Sequence, residues 1–179
     1  MEIGLITDSL SSRSFDEVLE IAAGLGLSSI ELPTGNWSEA PHINLDALLD
    51  NEAERAAFMG RIADAGLGIS ALNANGNQLH PVSGPQQDEV LRKTIRLAQL
   101  MEVPTVVCMS GLPGAAGDSS PDWVTSSWPP ENLEILDYQW EQVAIPYWRQ
   151  LAAFAEEHRV KLAIEPCFTQ LAYNAATAK

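Results

Sequence analysis

Cations are scarce in this 179-residue chain: 10 Lys and Arg stand against 24 Asp and Glu, for a formal net charge of −14. Binding to a phosphate backbone is driven by Lys and Arg neutralising phosphates, so the balance argues against nucleic acid as a partner. An acidic, water-solvated surface is expected instead. Cysteine is rarer still. Cys108 and Cys167 each lie in or just after an apolar, strand-like run, where reduced cysteines pack as small hydrophobes; both are expected to be free thiols. The chain shows neither an apolar run long enough to span a bilayer nor a charged leader ahead of an apolar segment, so no membrane partner is expected and the expected compartment is the cytoplasm. With 46% hydrophobic and 19% charged residues the chain is too apolar for disorder and long enough for one well-buried domain, taken as 1–179.

What is present is a repeated alternation. Residues 1–10 open with Ile3, Leu5 and Ile6 and turn polar at Thr7, Asp8 and Ser9, which predicts a first strand. Ser14 with Glu17 is a capping-box signature, and Val18, Ile21, Ala22 and Leu25 then share one helical face up to Gly26. A short strand over 27–32 is broken by Pro33 and Gly35. Asn44 and Asp46 mark the start of a helical stretch through Phe58, Ile62 and Ala65, ended by Gly66. Strand three is expected over 68–73, an amide-dense loop over 73–81, a helix over 87–102 and a β-branched strand over 103–109. Residues 111–130 read as a long loop, the kind that is usually functional or mobile. The helical stretch through Tyr138, Trp148, Leu151 and Ala155 holds Pro146, so it should kink there or restart there. Strand five follows, and 174–179 looks like the start of a further helix. Such βαβα alternation means a parallel sheet with right-handed crossovers.

The strands share one habit. Their polar groups gather at the carboxyl ends: Thr7 and Asp8, Glu31, Asn73 and Asn75, Ser110, and Glu165 at the end of VKLAIEPCF. An ionised Glu at the end of a buried strand requires water, a metal or a cation, so Glu165 should sit at a mouth and not in mid-core. A rim of this kind is what the active face of an α/β barrel needs.

ITDSL in strand one, IELPTGNW at strand two, NANGNQLHP after strand three, VVCMSG at strand four and LAIEP at strand five make the chain resemble the xylose isomerase-like TIM-barrel superfamily, with sugar and sugar-phosphate isomerases and epimerases as its nearest kin. The resemblance implies a divalent metal, Mn²⁺ or Mg²⁺, at the carboxyl end of the barrel, held by Glu, Asp, His and Glu. Glu165 matches the first of these ligands. It also implies proton transfer by carboxylates through an enediolate of a small sugar or sugar phosphate. On that reading Glu165 is the catalytic and metal-binding residue. His80, Asn75, Asn77, Glu31 and Ser110 are the candidate substrate contacts, because sugar hydroxyls need paired donors and acceptors.

Each candidate has a plain structural alternative. His80 is either a sugar donor or satisfied within its loop; Glu31 either contacts substrate, orients His80 or is solvated; Asp8 and Ser110 either face the site or close a strand into a turn. His42 and His158 are expected to be structural or exposed. Trp37 and Trp123 either stack on a sugar ring or staple loops, Trp128 is expected to staple its loop, and Trp140 and Trp148 to pack helix on barrel.

The chain departs from the family in its strand count. A complete barrel has eight strands in about 250 residues, whereas five are counted here, so the strands that would bring the other metal ligands are missing from it. Two free sheet edges invite a homo-oligomer or association with another chain, and the chain is read as the N-terminal part of the barrel, either a truncated product or a fragment whose missing part another copy or chain supplies. Two other readings stay open: a lyase on oxidised glycosides using the same metal chemistry, and an inert partial barrel acting as an assembly partner. The abasic-site endonuclease branch, which needs many histidine ligands and a basic groove, fits neither three histidines nor the charge of −14.

Overall fold

The computed structural model describes residues 2–178. Five strands, β1 (Gly4–Ile6), β2 (Ser29–Pro33), β3 (Gly68–Asn73), β4 (Thr105–Cys108) and β5 (Lys161–Ile164), pair in parallel in the order β1-β2-β3-β4-β5. Sequential order with helical crossovers is the arc of a (β/α) barrel, of which five strands are present among the described residues.

Side chains alternate across the pleat, and the burial follows. Leu5, Ile30, Leu32, Leu72, Val106, Cys108 and Leu162 face a helix layer and form one core with Leu19, Phe58, Leu91, Ile95 and Leu151. Each fully buried aliphatic side chain contributes about 1.5–3 kcal/mol. The other face carries Ile6, Glu31, Asn73, Val107 and Ala163, and Ile6 keeps 40% of its surface exposed. The register of β2 on β3 slips by one residue between Ile30 and Glu31, and the Ser70 hydroxyl donates to the Ile30 carbonyl at 3.1 Å in the slip.

Helix α1 (Phe15–Gly24) begins at the expected capping box: Glu17 N–H donates to Ser14 Oγ, and the Ser14 backbone N–H donates to the Glu17 carboxylate at 2.8 Å. The Ser14 backbone N–H, and with it the Ser14 hydroxyl, donates to the Glu17 carboxylate and holds it below its ordinary pKa. The single helix expected over 44–66 is instead two, α2 (Leu45–Asp50) and α3 (Glu52–Asp64). Asn51, in an extended conformation, caps the second by accepting from the Glu54 N–H, and Asx capping outcompetes continuation at this point. The first strand is also shorter than expected, because Thr7–Leu10 turns into a 3₁₀ helix.

Helix α4 (Gly84–Leu100) starts with proline in its first turn, ahead of the expected position. After the long 111–130 loop the chain runs through α5 (Glu131–Asp137), a π-helix (Tyr138–Ala144) and α6 (Ile145–Glu157). Pro146 stands in the first turn of α6, so the restart expected there occurs, with the π-helical segment leading into it. Residues 174–178 form one turn capped by Asn174, whose side chain accepts from the Ala176 and Thr177 N–H groups; Lys179 lies outside the described residues. Among the described residues no helix is long and apolar enough to cross a membrane.

Both cysteines are free thiols, and burial pushes the Cys108 thiol up to about 12. Because the thiolate is the reactive form, a disulfide-exchange reagent at pH 8 should titrate Cys167 alone in the folded chain and both thiols only after denaturation. Two fast-reacting thiols in the native state would show the core around β4 to be open.

Candidate functional site

The strand ends meet through side-chain amides. Asn73, the last residue of β3, donates from Nδ2 to Glu31 Oε1 on β2 at 2.6 Å, while its Oδ1 accepts from the Asn75 N–H at 2.8 Å. Both ends of the Asn73 amide are therefore fixed by their partners. Asn75 continues the line, with Nδ2 donating to Glu165 Oε2 at 2.5 Å. Glu165 in turn is anchored by its backbone, its N–H donating to the Cys108 carbonyl at 2.9 Å. A continuous rim, Glu31–Asn73–Asn75–Glu165, thus ties β2, β3 and β5 together on the face opposite the helices.

Two carboxylates on one rim, each given a single amide donor, keep most of their acceptor capacity free for a ligand. Glu31 is half-buried and Glu165 exposed. Asn75 Oδ1 is shut off from solvent and has no partner among the described residues, so it is a further acceptor at the same place.

The loop is built to hold this line. The Asn73 carbonyl accepts from the Thr34 N–H at 2.8 Å and the Thr34 hydroxyl at 3.0 Å. That hydroxyl lies 2.7 Å from the hydroxyl of Thr94, fully buried in α4. Gly76 has a steric reason: a Cβ there would come within 2.6 Å of Gln87 Oε1 and 2.8 Å of Asn36 Cβ. Trp37 N–H donates to the Asn75 carbonyl at 3.0 Å, and its half-exposed ring shares a cavity of about 280 Å³ with Asp8, Ser11, Ser38 and Glu39. Asp8 Oδ1 is buried there without a partner.

Several candidates serve the fold. Asn77 is buried, with Oδ1 accepting from the Leu79 and Leu112 N–H groups and Nδ2 donating to the Leu112 carbonyl at 3.0 Å, so its side chain joins two loops. Ser110, 5% exposed, accepts on Oγ from the Ala172 N–H at 2.8 Å, and its carbonyl accepts from Trp148 Nε1 at 3.0 Å. His80 Nδ1 accepts from the Val82 and Ser83 N–H groups at the start of α4, which leaves Nε2–H of the neutral ring as its remaining donor. Glu31 orients Asn73 and not His80, because β3 is its neighbour in the sheet. Trp128 does not staple its loop; its ring is 75% exposed, and the loop is held at the backbone by Ser126 and Asn132. His42 is buried against Phe15 and bonded to the Arg13 carbonyl, while His158 is bonded to the Phe154 carbonyl; both are structural.

Asn73 was visible in the sequence as a polar strand end but not as a site residue. Its signal is the N-x-N spacing: in an extended chain, residues two apart point the same way.

A divalent metal fits these residues poorly. Among the described residues no three His, Cys, Asp or Glu are grouped to hold an ion, and the rim offers Glu165 as a lone exposed carboxylate with Glu31 bonded to Asn73.

Residues 19–179 match the family described as xylose isomerase-like TIM barrel. The chain is 43% identical over 182 residues to the uncharacterized protein YfiH of Bacillus subtilis (strain 168), covering 99% of this chain and 58% of that protein. Among solved structures, a xylose isomerase-like TIM barrel protein from Mycobacterium smegmatis in complex with magnesium superposes with a TM-score of 0.65 at 17% identity, over 99% of this chain and 58% of the other. An L-ribulose 3-epimerase superposes with a TM-score of 0.59 at 21% identity, over 99% and 55%. The chain thus spans a little over half the length of the proteins it matches, and the structural likenesses speak to the fold.

Replacing Thr94 by Val removes the hydroxyl against Thr34 beneath the rim, leaving a buried polar group short of a partner. We expect a loss of about 1–3 kcal/mol in urea unfolding. An unchanged midpoint would show that the rim does not lean on α4.

Proposed function

This chain belongs to the xylose isomerase-like TIM-barrel family, and from that premise we propose that its rim is part of the active site of an isomerase or epimerase acting on a small sugar. The observation that carries the reading is the 2.5 Å bond from Asn75 Nδ2 to Glu165 Oε2, which orients an exposed carboxylate at the mouth of the strand arc. Polyol substrates need acceptors and donors at close spacing, and Glu31 and Glu165 provide the acceptors. Among the described residues no Lys or Arg belongs to this rim, which favours an unphosphorylated sugar over a sugar phosphate at this part of the mouth.

In the proposed chemistry the Glu165 carboxylate takes the proton from the carbon beside the sugar carbonyl. The C–H electron pair shifts to form the enediolate, and the protonated carboxyl returns the proton to the neighbouring carbon on the same face while the hydroxyl proton passes to the former carbonyl oxygen; epimerisation would need a second acid, beyond Glu165, on the opposite face. A divalent cation such as Mg²⁺ or Mn²⁺ would supply charge stabilisation in such a site, with Glu165 as one donor and the others contributed from beyond the described residues. The 1–179 stretch then acts as one partial-barrel domain. The β1 and β5 edges, unpaired among the described residues, are where further strands of a completed barrel or a second copy would join.

Two measurements test the reading. In D₂O with a ketose and Mg²⁺ or Mn²⁺, the completed protein should wash solvent deuterium into the carbon next to the carbonyl, and Glu165→Gln should slow this about 10²–10⁴-fold. Full exchange in that variant would remove Glu165 from the chemistry. In sedimentation velocity the 179-residue chain should run as a species heavier than its 19.4 kDa monomer; a purely monomeric chain would show that the edges stay free.

A further inference from the structure

A second cavity lies away from the rim, enclosed by the 111–130 loop, α5, the π-helix and the C-terminal segment. It measures about 220 Å³ and its walls include Leu112, Trp123, Leu136 and Tyr173, with Trp123 and Tyr173 edge to face at 5.7 Å. Among the described residues, none of Glu31, Asn73, Asn75 and Glu165 lines it, and neither does any charged side chain.

Two glutamines also line this cavity, Gln139 at 0% exposure and Gln170 at 1%. Each has its Oε1 sealed from solvent and without a partner among the described residues. For Gln139 the assignment is fixed by its neighbours: its amide nitrogen donates to the Pro113 carbonyl at 2.9 Å and the Asp122 carbonyl at 2.8 Å, so the oxygen end is the free one. A buried carbonyl left without a donor is costly, and two of them lining one cavity call for a shared explanation. Gln139 moreover sits in the π-helix, a conformation frequent at functional sites.

We propose that this cavity binds a small, uncharged ring compound carrying at least two hydroxyl donors, one for each glutamine carbonyl. The aromatic and leucine walls take the body of the ring. The lack of charge among the described lining residues disfavours phosphates, carboxylates and ammonium groups, whose desolvation those residues would not offset. The volume is below the ~300–1,000 Å³ of pockets for drug-sized ligands, which sets the size at about one ring.

Resorcinol is the probe, titrated into the intact chain by calorimetry and tryptophan fluorescence. It should bind with one-to-one stoichiometry, and 1,3-dimethoxybenzene, which keeps the ring and lacks both O–H groups, should bind about tenfold more weakly or not at all. Gln170→Met keeps the length of the side chain and removes the carbonyl; it should leave the fold as stable as before or more so, yet weaken resorcinol about tenfold. Leu136→Trp should abolish binding by filling the space. Absence of saturable resorcinol binding, equal affinity for the dimethyl ether, or unchanged affinity in Gln170→Met or Leu136→Trp would each overturn the proposal. The ether comparison uses the unaltered chain and decides the matter even where a variant does not fold.

Discussion

Asn73 is the residue on which the rim depends. Its backbone closes β3, its carbonyl takes two donors from Thr34, and its side chain spans from Glu31 on β2 to the Asn75 N–H. An amide is suited to this position because it donates and accepts at once and stays neutral between two carboxylates. An aspartate there would face Glu31 with a like charge; a leucine would leave Glu31, Asn75 and the turn without their shared partner. The order of the site is thus set by a neutral residue, while the charges it arranges sit at either end.

The helix layer explains why this rim can be rigid with so few bonds. Every second residue of the central strands is locked into a close-packed core, so their free ends have little room to drift. On the opposite face Asn73 is itself buried, Glu31 half-buried and Glu165 exposed, so the rim opens to solvent at its carboxylates and not at the amide that links them.

Much of this was legible in the sequence, for reasons that differ by element. The Ser14–Glu17 capping box, the helix stop at Gly66 and the polar ends of successive strands are local patterns, and local patterns survive folding. The break at Asn51 was not legible, because an asparagine inside an apolar periodicity can as well point to solvent as cap a new helix. The pairing of Thr34 with Thr94, sixty residues apart, and the burial of Gln139 and Gln170 belong to tertiary packing, which a periodicity cannot encode. Asn77 and Ser110 have the chemistry of ligand-binding groups, and only their partners, Leu112 and Ala172, show that the fold itself uses them.

The register slip opposite Ser70 settles which side of the sheet each later residue of β3 occupies. Ile69 faces the helices, and a regular pleat from there would send Ala71 and Asn73 the same way and turn Leu72 outward. One additional residue inverts that parity: Leu72 enters the core and Asn73 reaches the mouth. Residues 69–72 therefore tolerate exchange of a side chain far better than a change in their number, since losing or gaining a single position would trade an aliphatic group for an amide across the whole thickness of the sheet.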